Sequence, residues 1–163
     1  MNSLTIDKAI LLEAVIARLE KELADIRVGF DEARRTSIES PGRMQSRYDT
    51  MGVEAAWVAD GLARNLKSKM EGLARLRQLR LPSAPPKGCV GAVVGVGSLG
   101  GAESIYFILP GAGGQTVQPN ENVAPVLVVS PGSPAGKSLI GKEVGDEVAV
   151  GGDPDGKVVL WIL

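Results

Sequence analysis

Histidine is absent from this chain of 163 residues. The commonest general base at neutral pH and the commonest metal ligand are therefore missing, which excludes serine-histidine triads and zinc-histidine sites. Cysteine occurs once, at Cys89, so there is no internal disulfide and no CxxC metal knuckle. A thiol without a histidine partner reads as a reduced, buried side chain rather than a nucleophile. Aromatic residues make up 4% of the chain. No apolar run approaches the roughly 20 residues of a membrane span; the stretch from Gly88 to Ala102 is short and glycine-laden. The first residues, Met1 to Asp7, lack the basic and then apolar regions of a signal peptide. A cytoplasmic protein with no membrane association is expected. Any catalysis would rest on carboxylates, lysine or a borrowed metal.

What is present falls into two parts. Residues 1–81 hold 5 of the 21 glycines and 1 of the 10 prolines, and residues 82–163 hold the other 16 and 9. Charge divides at the same point, with 14 Lys/Arg against 12 Asp/Glu before it and 4 against 7 after it. The expected domains are 1–81, a linker at 82–87 containing Pro82, Pro85 and Pro86, and 88–163.

In the first part Leu12, Ile16, Leu19, Leu23, Ile26, Phe30 and Ala33 follow at alternating steps of four and three, which keeps an apolar seam on one helix face. A second run, Ala55, Val58 or Ala59, Leu62, Leu66, Leu73 and Leu76, is weakened by Gly52, Gly61 and Gly72. Pro41-Gly42 between the runs marks a turn, so the two helices are expected to form an antiparallel coiled-coil hairpin, an arm on the order of 40 Å long. The second part reads as strands at 90–96, 104–109, 126–129, 147–150 and 158–163, with a short helix from Ser133 to Ile140. The expected fold is α+β: a helical hairpin followed by a small antiparallel sheet with one short helix.

Two motifs suggest nucleotide binding and fail on context. Gly95-Val96-Gly97-Ser98-Leu99-Gly100 has the G-x-G-x-x-G spacing, but the β-rich Ile105–Leu109 follows where a helix should begin. Gly136-Lys137-Ser138 ends like a phosphate-binding loop, yet Pro131 stands where the first glycine belongs and supplies no N–H. The hairpin tip is more informative, because Arg34, Arg35, Arg43 and Arg47 surround the single acid Glu39. A charged turn that merely stays solvated is the plain reading, and a projecting arm that reaches into a partner is the functional one.

The segment from Val129 to Val148, VSPGSPAGKSLIGKEVGDEV, resembles the C-terminal domain of the GreA/GreB transcript-cleavage factors in its serine, serine-proline, leucine-isoleucine-glycine-lysine and glycine-aspartate elements. That resemblance implies a bacterial transcription elongation factor, with an N-terminal coiled coil joined to an FKBP-like domain. The globular domain would dock on RNA polymerase at the rim of its secondary channel, and the coiled coil would enter toward the active centre. By position Ser130, Ser133 and Pro134 would form the docking loop, and Arg43, Arg47 and Tyr48 would contact the polymerase at the tip. In cleavage-active members an acidic pair at the tip helps hold a polymerase Mg²⁺ that activates water against backtracked RNA. Here that pair is not reproduced, and Glu39 or Asp49 is the acid available; Ser46 to Thr50 and Val53 to Trp57 resemble a shorter, divergent branch.

The resemblance thus implies an accessory factor rather than an enzyme, with no cofactor of its own, Mg²⁺ shared with the polymerase, RNA contacted only inside that complex, and a monomeric chain. Whether such a tip stimulates or inhibits cleavage stays open. Two other classes compete: a peptidyl-prolyl isomerase, for which Tyr106, Phe107 and Trp161 are the aromatics available to line a pocket, and a coiled-coil adaptor or dimer without polymerase contact.

Overall fold

The computed structural model describes residues 6–39, 47–98, 101–151 and 156–163; for residues 37, 39 and 47–52 the description is of the backbone. Helix α1 runs Lys8–Glu39 and helix α2 runs Arg47–Gln78. Strands β1 (Val93–Gly97), β2 (Ser104–Ile108), β3 (Thr116–Val117) and β4 (Val126–Val129) precede the short helix α3 (Pro134–Leu139), and β5 (Glu147–Val148) and β6 (Lys157–Ile162) complete the chain. Two compact units result: Arg18–Glu71 is one, and the described residues up to Ala17 together with Gly72–Leu163 are the other.

In the unit Arg18–Glu71 the helices pair antiparallel. Lys69 Nζ lies 2.6 Å from Glu22 Oε2, and the Leu62 side chain lies over Gly29, so rising numbers on α1 meet falling numbers on α2. Each helix begins where its chemistry allows. Asp7 Oδ1 accepts from the Ala9 N–H at 2.8 Å and so satisfies one of the orphan donors of the first turn of α1, while Arg75 and Arg77 carry positive charge near the negative end of α2. The apolar seam read from the sequence is the half-buried one: Leu23, Ile26, Phe30 and Ala33 on α1, and Ala55, Ala59, Leu62 and Leu66 on α2, are partly covered. Ala59 rather than Val58 belongs to it, since Val58 is exposed.

In the other unit Leu11, Val15, Leu73 and Leu76 are buried together with the sheet residues. Leu11 and Val15 extend the burial of α1 to a stripe beside the expected seam, because the helix here packs within a globular core and not only against α2. Gly72 makes one such approach possible. A side chain there would meet the Gly111 carbonyl oxygen at 2.8 Å, and Gly111 itself holds a φ of 74°, a turn conformation that glycine adopts without strain.

The sheet has the strand order β3-β4-β2-β1-β6-β5. It is mixed rather than wholly antiparallel, since β2 and β4 run parallel, with Ile105 opposite Val126 and Ile108 opposite Val129. The reason is topological: the segment 109–125 brings the chain back so that β4 starts level with β2, and β3, within that segment, pairs antiparallel with β4 at the edge of the sheet. Two residues long, β3 offers no alternating pattern and is not legible in the sequence. One side of the sheet holds a core of Ala92, Val94, Val96, Tyr106, Ile108, Val129, Val148, Val150 and Val159, closed by Leu139 of α3. Neither β5 nor β6 reaches the expected bounds: β5 ends at Val148, and β6 starts one residue early at Lys157.

Gly95, the first glycine of the G-x-G-x-x-G stretch, serves packing. β1 ends at Gly97 and the next regular element is a strand, so no helix N-terminus faces a phosphate. A side chain at Gly95 would collide with the Trp161 indole, whose N–H is bonded to the Glu103 carboxylate.

Candidate functional site

The turn between β4 and α3 is built around Ser133. Its side-chain oxygen accepts from the Gly136 N–H at 3.1 Å as the N-cap of α3, and its hydroxyl donates to the Ser130 carbonyl at 2.7 Å. The Ser133 N–H reaches the same carbonyl at 3.1 Å, and the Lys137 N–H returns to the Ser133 carbonyl at 2.9 Å. Pro134 occupies the first helical turn, where its missing N–H leaves no partner unsatisfied. Gly136 is required by this arrangement: a Cβ would overlap the Ser130 carbonyl oxygen. The glycine of the Gly-Lys-Ser motif therefore lets a helix sit against a turn, and does not cradle a phosphate.

α3 closes as tightly as it opens. The Ile140 N–H bonds the Gly136 carbonyl at 3.0 Å, and Gly141, with a φ of 80°, then turns the chain so that its N–H meets the Gly88 carbonyl at 2.8 Å. Gly88 in turn donates to the Lys142 carbonyl at 2.8 Å. Beside this clamp Lys87 Nζ and Glu143 Oε1 form an exposed ion pair at 3.0 Å, and the hydrogen bond to Glu143 raises the Lys87 amine above its ordinary value of 10.5. Lys8, whose ammonium bonds the Pro82 carbonyl, is shifted the other way by partial desolvation.

Ser130, Ser133 and Pro134 line a groove of about 560 Å³. Gly113-Gly114 and Ala149–Gly151 also line it, and Leu127 and Ala135 contribute apolar surface. The three residues expected to form a docking loop thus line one open concavity together. The two glycine walls were missed by sequence reasoning. The available signal was the turn chemistry at Gly113-Gly114 and Gly151-Gly152; Gly114 and Gly151 take φ values of 90° and 80°. Among the described residues no aromatic side chain lines this groove. Tyr106 and Phe107 are buried, and Trp161 is committed to Gly95 and Glu103.

The tip residues separate from this loop. Arg43 lies outside the described residues, as do the side chains of Glu39, Arg47, Tyr48 and Asp49. Their backbone positions are given: Glu39 is the last residue of α1, and Arg47, Tyr48 and Asp49 form the first turn of α2. Among the described residues no group of three or more histidine, cysteine, aspartate or glutamate side chains is placed to hold a metal ion. Nor, among them, is any helix long and apolar enough to cross a membrane.

No protein-family model matches the chain, and no curated protein matches it. Solved structures do. GreA factor homolog 1 (Gfh1) of Thermus thermophilus is similar over 92% of this chain and 95% of its own, at 24% identity and a TM-score of 0.37. Gfh1 of Thermus aquaticus is similar over 92% and 94%, at 23% identity and a TM-score of 0.37. These neighbours are Gre-factor homologues. A further structure of the transcription factor Gfh1 covers 91% of this chain at 20% identity, with a TM-score of 0.36.

Proposed function

We propose that this chain is a Gre-like transcription elongation factor that binds RNA polymerase at its secondary channel. In this reading the loop Ser130–Pro134 docks on the channel rim and the helical hairpin enters toward the active centre. The observation that carries it is the coincidence of sequence and geometry at one place: the segment that resembles the Gre C-terminal domain forms a hydrogen-bonded turn and capped helix on the lip of an open groove. A surface held by four local hydrogen bonds loses little conformational entropy on binding, which favours a docking role.

The chain acts as an accessory factor. The polymerase supplies the catalytic metal, and a carboxylate at Glu39 or Asp49 would lend one ligand to Mg²⁺, which accepts one or two carboxylates and keeps several waters. Glu39 is the last residue of α1, and Asp49 lies in the first turn of α2. RNA is met only within the polymerase complex, in keeping with a net charge of −1 and the lack of a basic stripe with interleaved aromatics. This is a cytoplasmic activity.

Binding to core RNA polymerase in competition with a cleavage-active Gre factor tests the reading. Mutual displacement is the expected result, with weaker binding by Ser133→Ala. Absence of binding, or simultaneous binding of both proteins, overturns it. On the same complex, Glu39→Ala and Asp49→Ala should leave binding intact and alter cleavage of backtracked RNA only where that carboxylate reaches the metal.

A further inference from the structure

Trp57 is 74% exposed, in the middle of a helix whose own seam is half-buried. It belongs to a second regular stripe: Glu54, Trp57, Gly61, Arg64 and Ser68 follow at steps of three and four, and all five are exposed. These residues share the face of α2 turned away from the α1 seam. Exposed Val53 and Val58 widen its apolar part around the tryptophan.

Among the described residues Gly61 packs against nothing. Gly29 accommodates the Leu62 side chain and Gly72 the Gly111 backbone, whereas a Cβ at Gly61 would meet nothing within 4 Å. An interior helical glycine costs about 1 kcal/mol relative to alanine. At Gly61 no intramolecular contact offsets that cost, and the result is a bare notch one turn from an exposed indole.

We infer that α2 carries a self-complementary surface on which a second copy of this chain docks antiparallel, Trp57 of each copy filling the Gly61 notch of the other. Antiparallel pairing centred on Ala59 sets Trp57 opposite Gly61 and, in the same register, Glu54 opposite Arg64. Both pairings occur twice by the two-fold symmetry. Parallel pairing would instead face Glu54 with Glu54, Arg64 with Arg64, and one indole with the other. A nucleic-acid strand is a poorer occupant, because Glu54 and Asp60 offset Arg64 and leave no cationic excess. The stripe from Glu54 to Arg64 is about 15 Å long. A stripe of this length is short beside the roughly 1,000 Å² of a stable interface, so a weak dimer is expected. The inference departs from the expected monomer and is independent of the polymerase reading.

Sedimentation equilibrium of the full chain between about 10 µM and 1 mM provides the test. A monomer–dimer equilibrium is expected. Trp57→Ala and Gly61→Leu should each raise the dissociation constant at least about 30-fold, with helix content by circular dichroism unchanged. Glu54→Arg and Arg64→Glu should each weaken self-association, and mixing these two variants should restore it as a heterodimer. A chain that stays monomeric to about 1 mM overturns the inference, as does a dimer indifferent to Trp57→Ala or a mixture that fails to recover. Saturable quenching of Trp57 by an oligonucleotide with no self-association would reassign the surface to nucleic acid and overturn it equally.

Discussion

The two compact units bury their side chains to different degrees. In the sheet unit Phe107, Ile108, Leu109, Val93, Val94 and Val126 are completely buried, and Leu139 of α3 closes the core. In Arg18–Glu71 only Leu19, among the described residues, is fully buried, and the remaining seam side chains stay half-covered. Two helices alone cannot enclose a side chain on all sides, whereas a sheet covered on its face can. The hairpin keeps long faces available to partners, which is where Trp57 and Gly61 lie.

Core truncation should separate the units most strongly. Phe107→Ala should cost about 3–5 kcal/mol, and Phe30→Ala, at the half-buried seam, less than half as much; denaturant unfolding read at a sheet probe and by helix content checks this. Equal costs would break the comparison. Glycine replacement should give opposite signs. Gly136→Ala forces the Ser130 carbonyl aside and should destabilise by about 1–3 kcal/mol, while Gly61→Ala, with open space and helical backbone, should stabilise by about 0.5–1 kcal/mol in thermal unfolding at low concentration.

Ser133→Ala removes the N-cap acceptor and the donor to Ser130 together. A loss of about 1 kcal/mol is expected, and Ser133→Asp, which retains the acceptor, should recover most of it in the same melt. The smallest effect is electrostatic. The amine of Lys87 is raised, so its contribution to stability is present below the ordinary lysine value of 10.5 and fades as pH climbs through the raised one. Lys87→Met should remove that part of the alkaline loss; because the pair is fully exposed the change is small and shrinks with added salt.

Periodicity makes the hairpin legible because an α-helix repeats its faces every few residues, and the seam from Leu12 to Ala33 records which face is covered. The choice between Val58 and Ala59 needed burial to settle it. Strands β1, β2, β4 and β6 were legible from β-branched runs bounded by glycine and proline; β4 has the expected bounds, and the ends of the other three shifted by one to three residues. The parallel β2–β4 pair was not legible, since strand direction depends on the path of segment 109–125 and not on side-chain alternation. At the candidate site Ser130, Ser133 and Pro134 were found through local pattern, and the groove walls at 113–114 and 149–151 were missed because they are far away in sequence.

Local chemistry accounts for what the chain reveals unaided: two helices, a proline-marked change in composition, a serine-capped turn, and a lack of histidine that removes whole classes of catalysis. Each of these follows from interactions between residues only a few positions apart, or from composition itself. The mixed sheet, the close approach of Gly72 to Gly111, the indole over Gly95 and the groove beside Ser133 arise only on folding. They depend on long-range contacts, and those are selected by which packing buries the most apolar surface while leaving no backbone group without a partner.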